Sequence, residues 1–235
     1  MAFDIFVGSF TRYIGGDWEN LGQRAAREQG IPYKIIRDNE TEEAPPPTEE
    51  IAATVSEWRE ALNAGLKDQL KTPLAWDESP DTSYVTDRPD WAGYASLLLW
   101  AAYEDAPALT KPEKLPEEWG EDPAYKQATG EESETRYPAV LMANLWLPGD
   151  FDFMFGIEDL GGNPRAVAST AALLEELTML NDRTWKASAT DLAEWKKAQP
   201  PEDASFEDNA KFGLAVMLAM VEEARKMNVP MMPDY

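Results

Sequence analysis

Four carboxylates lie within one ten-residue stretch, Asp150, Asp152, Glu158 and Asp159, close to Trp146, Phe151 and Phe153. Glycoside hydrolysis needs two such groups across an aromatic-lined cleft, one to protonate the leaving oxygen and one to attack or to activate water. These four residues therefore define the alternative, enzymatic reading of the sequence: a carboxylate-based enzyme, glycoside hydrolase-like or Mg²⁺-dependent. Composition weakens that reading, because 44 Asp and Glu among 235 residues bring acids together by number alone. Acids at strand ends are ordinarily solvated. A Ca²⁺ loop would require a DxDxDG-like pattern, which 150–152 and 158–162 match only in part.

Other chemistries are excluded by residue type. The chain has no His and no Cys. That removes thiol nucleophiles, disulfides, thiolate metal sites, imidazole ligands and the commonest general base. No Ser has a Lys three residues on, so the SxxK dyad is missing. The stretch 8–16 is glycine-bearing but lacks GxxxxGK[ST] and GxGxxG. Arg12, Arg24 and Arg27 form a basic cluster that neighbouring acids are expected to neutralise. No catalytic residue, metal or cofactor is assigned.

What remains is charge. With 21 Lys and Arg against 44 acids, the formal net charge is −23. Such a field repels nucleic acid and anionic membrane and draws basic partners from a distance. Two segments concentrate it. Residues 38–50 carry six acids, no bases and three prolines, and read as an extended, solvated linker. Residues 113–134 carry eight acids against Lys114 and Lys126, for a net −6. The expected partner-binding residues are Glu117, Glu118, Trp119, Glu121 and Asp122 in that second segment, together with Asp77, Glu78 and Asp81. In this arrangement charge supplies encounter rate, and an aromatic anchor supplies residence time. The plainer alternative is a solvated surface.

The elements that must carry these residues read as a single α+β domain over 1–235, with about six helices packed on a sheet of about four to six strands. Residues 3–7 predict a first strand. Asp17 is expected to cap a helix closed by Gly30, and 33–37 to form a parallel second strand. Ile51, Val55, Trp58, Leu62, Leu66 and Leu70 mark an amphipathic helix, and 91–103 a buried one begun by Pro89. Residues 106–136 are expected to be a long acidic loop. At the centre, 140–147 and 151–155 predict two strands, 159–162 a turn, and Asn163–Pro164 the start of a helix striped by Val167, Ala171, Leu174, Leu177 and Leu180. Residues 185–188 predict a further strand and 192–198 a short helix. Ser205 with Asp208 opens the last helix, whose Met-rich face is expected to be core. No signal-peptide pattern and no membrane span is expected, so the sequence predicts a cytoplasmic protein.

The stretches WLPGDFDF (146–153) and STAALLEELTML (169–180) resemble small acidic bacterial immunity proteins. The resemblance implies a cytoplasmic inhibitor that binds a secreted toxin one to one, acidic members covering a nuclease's basic surface. It assigns no contact residue. The leading expectation is thus a non-enzymatic immunity protein or inhibitor of a toxin or other basic protein. The alternatives are the carboxylate enzyme and a structural or assembly subunit using the C-terminal Met face.

Overall fold

Strand residues 4–7 are buried on both sides, and that fact organises the molecule. The computed structural model describes residues 3–32, 46–79 and 81–234. Its strands are β1 (Asp4–Val7), β2 (Val85–Asp87), β3 (Leu145–Leu147), β4 (Phe155–Glu158), β5 (Pro164–Ser169) and β6 (Met231–Asp234). They form one sheet in the order β2-β1-β6-β3-β5-β4. β1 runs antiparallel to β2 and β6, β3 lies parallel to β5, and β4 and β5 make an antiparallel hairpin.

Alternate side chains of these strands point to opposite faces. Ile5, Val7, Trp146, Ala168 and Met231 enter one core, while Phe6, Leu145, Leu147, Val167 and Met232 enter another. Helices cover both faces, which is why the central strands read as unbroken apolar runs. The first core is closed by α4 (Asp90–Asp105), α5 (Pro123–Thr129), α6 (Pro138–Leu141), α7 (Thr170–Arg183), α8 (Ala189–Lys197) and α9 (Phe206–Met227). The second is closed by α1 (Phe10–Gly15) and α3 (Thr48–Leu66). The remaining helix, α2 (Leu21–Gln29), reaches β2 through Arg24, which donates to Thr86 Oγ1 at 3.0 Å.

This is the α+β fold that the sequence predicts, with six strands and, among the described residues, nine α-helices rather than about six. The added helices include α1 and α6, of six and four residues, too short to show a helical period. Met217, Met220, Met231 and Met232 are buried in the two cores, and Met227 packs against the first.

Several local expectations are corrected. Asn20, not Asp17, caps α2, exchanging hydrogen bonds with Gln23. The expected strand at 33–37 and most of the linker 38–50 lie outside the described residues, and the linker's end from Thr48 is already α3. The run 140–147 begins as α6, with Pro138 in its first turn, and is strand only at Leu145–Leu147. Residues 151–154 carry no strand pairing, and β4 begins at Phe155. Pro164 opens β5 rather than a helix, and Ser169 caps α7 by accepting from Ala172 N. Proline is tolerated at the first residue of a strand. Residues 185–188 form no strand, because the Asn181 amide brackets Ala187, accepting from its N–H and donating to its carbonyl. The expected loop 106–136 contains a 3-10 turn at Trp119–Glu121 and then α5. No helix of the described residues is long and apolar enough to cross a membrane.

Candidate functional site

The backbone of the acidic segment 113–134 is fixed at several points. Phe206 N–H donates to the Glu113 carbonyl at 3.0 Å, tying the segment to the start of α9. Leu115 and Trp119 pack on the first core, and the Trp119 ring meets Tyr125 edge-on, centroids 5.0 Å apart. Asp122 caps α5, accepting from Ala124 N at 2.8 Å, and also accepts from the Tyr103 hydroxyl at 3.0 Å. Burial, reinforced by that carboxylate, pushes the Tyr103 phenol up to about 12. At the far end, Asp105 accepts from Arg136 Nε at 2.6 Å and Arg136 N at 3.0 Å, while Arg136 Nη2 donates to the Glu104 carbonyl. The Asp105 carboxylate holds the Arg136 guanidinium above its usual range, against the opposing effect of burial.

Of the expected contact residues here, Trp119 and Asp122 are thus engaged by the fold, and Glu121 pairs with Lys126. Glu117 and Glu118 are exposed, as are Glu131, Glu132 and Glu134, and none of these five joins an ion pair among the described residues. Between the end of α4 and α5 lies a groove of about 510 Å³. Ala102, Ala106, Ala124 and Ala128 form its base, and Glu132 and Glu134 are on its lip.

Asp77, Glu78 and Asp81 belong to the opposite layer, following Trp76 of the second core. Glu78 accepts from Phe10 N at 3.2 Å and Thr11 N at 2.8 Å, placing its charge at the start of α1, and accepts from Trp76 Nε1. Asp77 accepts from Ser79 N at 2.9 Å and Ser79 Oγ at 3.0 Å, and these bonds, with a contribution from Thr82, hold its carboxyl below the usual range. Asp81 is exposed. The sheet therefore separates these three residues from the 113–134 surface.

Three of the four carboxylates of the enzymatic alternative divide between two clefts, and Glu158 lines neither. Asp150, whose side chain is 86% exposed and 3.4 Å from Arg225, lines one of about 250 Å³ with Asp152 and Glu175. Asp159 lines another of about 210 Å³, beside Phe10, Tyr13 and Arg165. Burial works to raise the Asp159 carboxyl, but the Arg165 guanidinium at 2.7 Å and the N–H groups of Asn163 and Gly161 prevail and hold it low. Glu158 is exposed at the end of β4, its carbonyl accepting from Trp58 Nε1 at 3.1 Å. Among the described residues no three Asp or Glu are grouped to hold a metal ion.

One functional-looking group is absent from the sequence reading. Glu176 of α7 is only 7% exposed, and its two carboxylate oxygens accept from Ala139 N and Val140 N, at 3.0 and 2.8 Å. Burial pushes its carboxyl up to about 7 despite those two donors. Its signal was in the sequence: position 176 falls on the apolar stripe of Leu173, Leu177 and Leu180. Comparison with known proteins gives no match, whether to a family model, to a curated relative or to a solved structure.

Proposed function

We propose that this chain is a non-enzymatic binding protein that recognises a basic protein through the 113–134 surface, most simply as an inhibitor of the immunity-protein kind. The observation that carries the reading is a row of exposed, unpaired acids on a backbone already pinned by Trp119, Asp122 and Arg136. Pre-ordering removes part of the cost of binding, and the net charge of −23 accelerates encounter with a cationic partner. Trp119 acts here by holding the loop rather than by projecting from it. The inhibitor's role is steric and electrostatic: it occupies a basic surface that the partner needs for its own anionic substrate.

The test is association kinetics against a basic protein captured from lysate at low salt and identified by mass spectrometry. The quadruple neutralisation Glu117→Gln, Glu118→Gln, Glu132→Gln and Glu134→Gln is expected to slow association at least several-fold and to flatten its salt dependence. An unchanged rate and salt slope in that variant removes the 113–134 surface from the interaction.

A further inference from the structure

We infer that the cleft between α1 and the β4–β5 turn is a binding site for a small aromatic carboxylate, a role independent of the protein-binding surface above. Its floor is the second core, reached at Leu145 of β3 and Met232 of β6, and its walls are Tyr13 and Ile14 of α1 and Leu160 of the turn. The floor is buried, but the three wall residues are only half-buried, so the cleft presents apolar surface to a ligand. The walls are also held in place. The Tyr13 hydroxyl donates to Asp234 Oδ1 at 2.9 Å, and its ring stacks on Trp18 with centroids 5.5 Å apart. The cleft measures about 210 Å³. A cavity of about 150 Å³ takes a benzene ring, which leaves ~60 Å³ here for one polar head group.

The head group is set by Arg165, the one base among the lining residues. Alternation along β5 puts Arg165 on the same sheet face as Val167, which belongs to the second core. Its Nε is committed to Asp159 Oδ2 at 2.7 Å, while Nη1 and Nη2 have no partner among the described residues. Those two nitrogens form the fork that a carboxylate engages with two parallel hydrogen bonds. Asp159 does not use up that charge. Its other oxygen accepts from Gly161 N at 2.9 Å, Asn163 N at 2.9 Å and Asn163 Nδ2 at 3.3 Å, so four donors share one carboxylate. A cationic head would face the guanidinium and find both Asp159 oxygens already taken. A neutral head would leave the charge of the fork unmatched.

The experiment titrates the full chain with sodium benzoate, followed by ligand-observed NMR, with benzamide as a neutral probe of the same shape. Benzoate is expected to bind with a Kd on the order of 1 mM, as suits a ligand of so few atoms. Benzamide should bind at least about tenfold more weakly. Arg165→Gln is expected to weaken benzoate about tenfold and to erase its preference over benzamide, which a merely structural role for Arg165 would leave intact. Ile14→Trp, which fills the cleft from α1 without changing charge, should weaken both probes at least about tenfold, with its melting temperature confirming the fold. Benzamide binding as tightly as benzoate would overturn the carboxylate head. Undiminished benzoate affinity in Ile14→Trp would place the ligand elsewhere and overturn the cleft. An absence of benzoate binding at about ten times that Kd would overturn the site altogether. None of these outcomes bears on the 113–134 surface, whose test is separate.

Discussion

At Glu176 the fold places a carboxylate where the α7 stripe calls for leucine, because the four-residue helix α6 needs an acceptor at its start. Tyr137, at the cap position of α6, offers no side-chain acceptor, and the two oxygens of Glu176 fill the role from another helix. In the unfolded chain this carboxyl titrates near 4.5, and in the folded chain at about 7. Its favourable contribution is complete below about pH 4.5, where it is protonated in both states, and is lost as pH rises through about 7 and the buried group must ionise. A difference of this size corresponds to about 3 kcal/mol. Wild type minus Glu176→Gln, each measured by urea unfolding at about pH 5 and about pH 8, should show that loss, while the shared low-lying carboxylates cancel. A difference that does not change with pH would mean the Ala139 and Val140 N–H groups fully compensate the burial. The same residue scale explains what could be read of the site. Asp122 followed by Pro123 is a helix-start pattern, yet the sequence reading passed over it, taking 106–136 as a loop and Asp122 as a contact residue. Glu78 caps α1 across a separation of 67 residues from Thr11, and nothing local to residue 78 announces it.

Among the elements, α4 and α9 cross where Gly93 meets Gly213. A Cβ on Gly213 would stand 2.2 Å from the Gly93 carbonyl oxygen and 2.8 Å from its carbon, backbone atoms that cannot swing aside. Gly213→Ala should therefore cost about 2–3 kcal/mol of unfolding free energy, overpacking outweighing the better helix propensity of alanine. Gly65, in the exposed last turn of α3, has nothing within 4 Å of the same added atom. Gly65→Ala should be neutral or stabilising by about 0.5 kcal/mol. Paired denaturation curves check both, and equal effects would contradict the close crossing. Legibility follows the same division by contact range. α3 and α9 were readable from their periods and α4 from its dense apolar run after Pro89, and these, with the Ser205–Asp208 start of α9, are local signals. Pro164 was misread because Asn163–Pro164 obeys the local rule for a helix start. The register of β5 against β3 (Val167 opposite Leu145) and against β4 (Phe155 opposite Val167) decides the matter instead, and no local pattern encodes it. β6 escaped for a similar reason. It is four residues long, contains Pro233, and is a strand because β1, at the other end of the sequence, pairs with it.

For the whole molecule, the decisive quantity is that 44 acids face 21 bases, so pairing every base would still leave 23 acids unpaired (44 − 21). Folding gathers those charges, and their mutual repulsion opposes the compact state. Salt shortens the reach of that repulsion, from a Debye length of about 30 Å at 0.01 M to about 8 Å at 0.15 M. The melting temperature should accordingly rise over that range, each ~1 kcal/mol of relieved repulsion reading as about 2–4 °C for a chain of this size. Binding of the proposed cationic partner should move the other way, because salt would screen the attraction that draws it in. The two slopes come from one charge distribution and must be opposite in sign. Calorimetric melting and partner affinity, measured across the same salt series, test this jointly. A melting temperature that falls with salt would mean that native ion pairs such as Arg88–Asp4 and Arg165–Asp159 outweigh the excess charge. A partner affinity indifferent to salt would place recognition on an apolar surface instead. Opposite slopes would mean that the acids which cost the isolated fold stability are the ones that recruit the proposed partner.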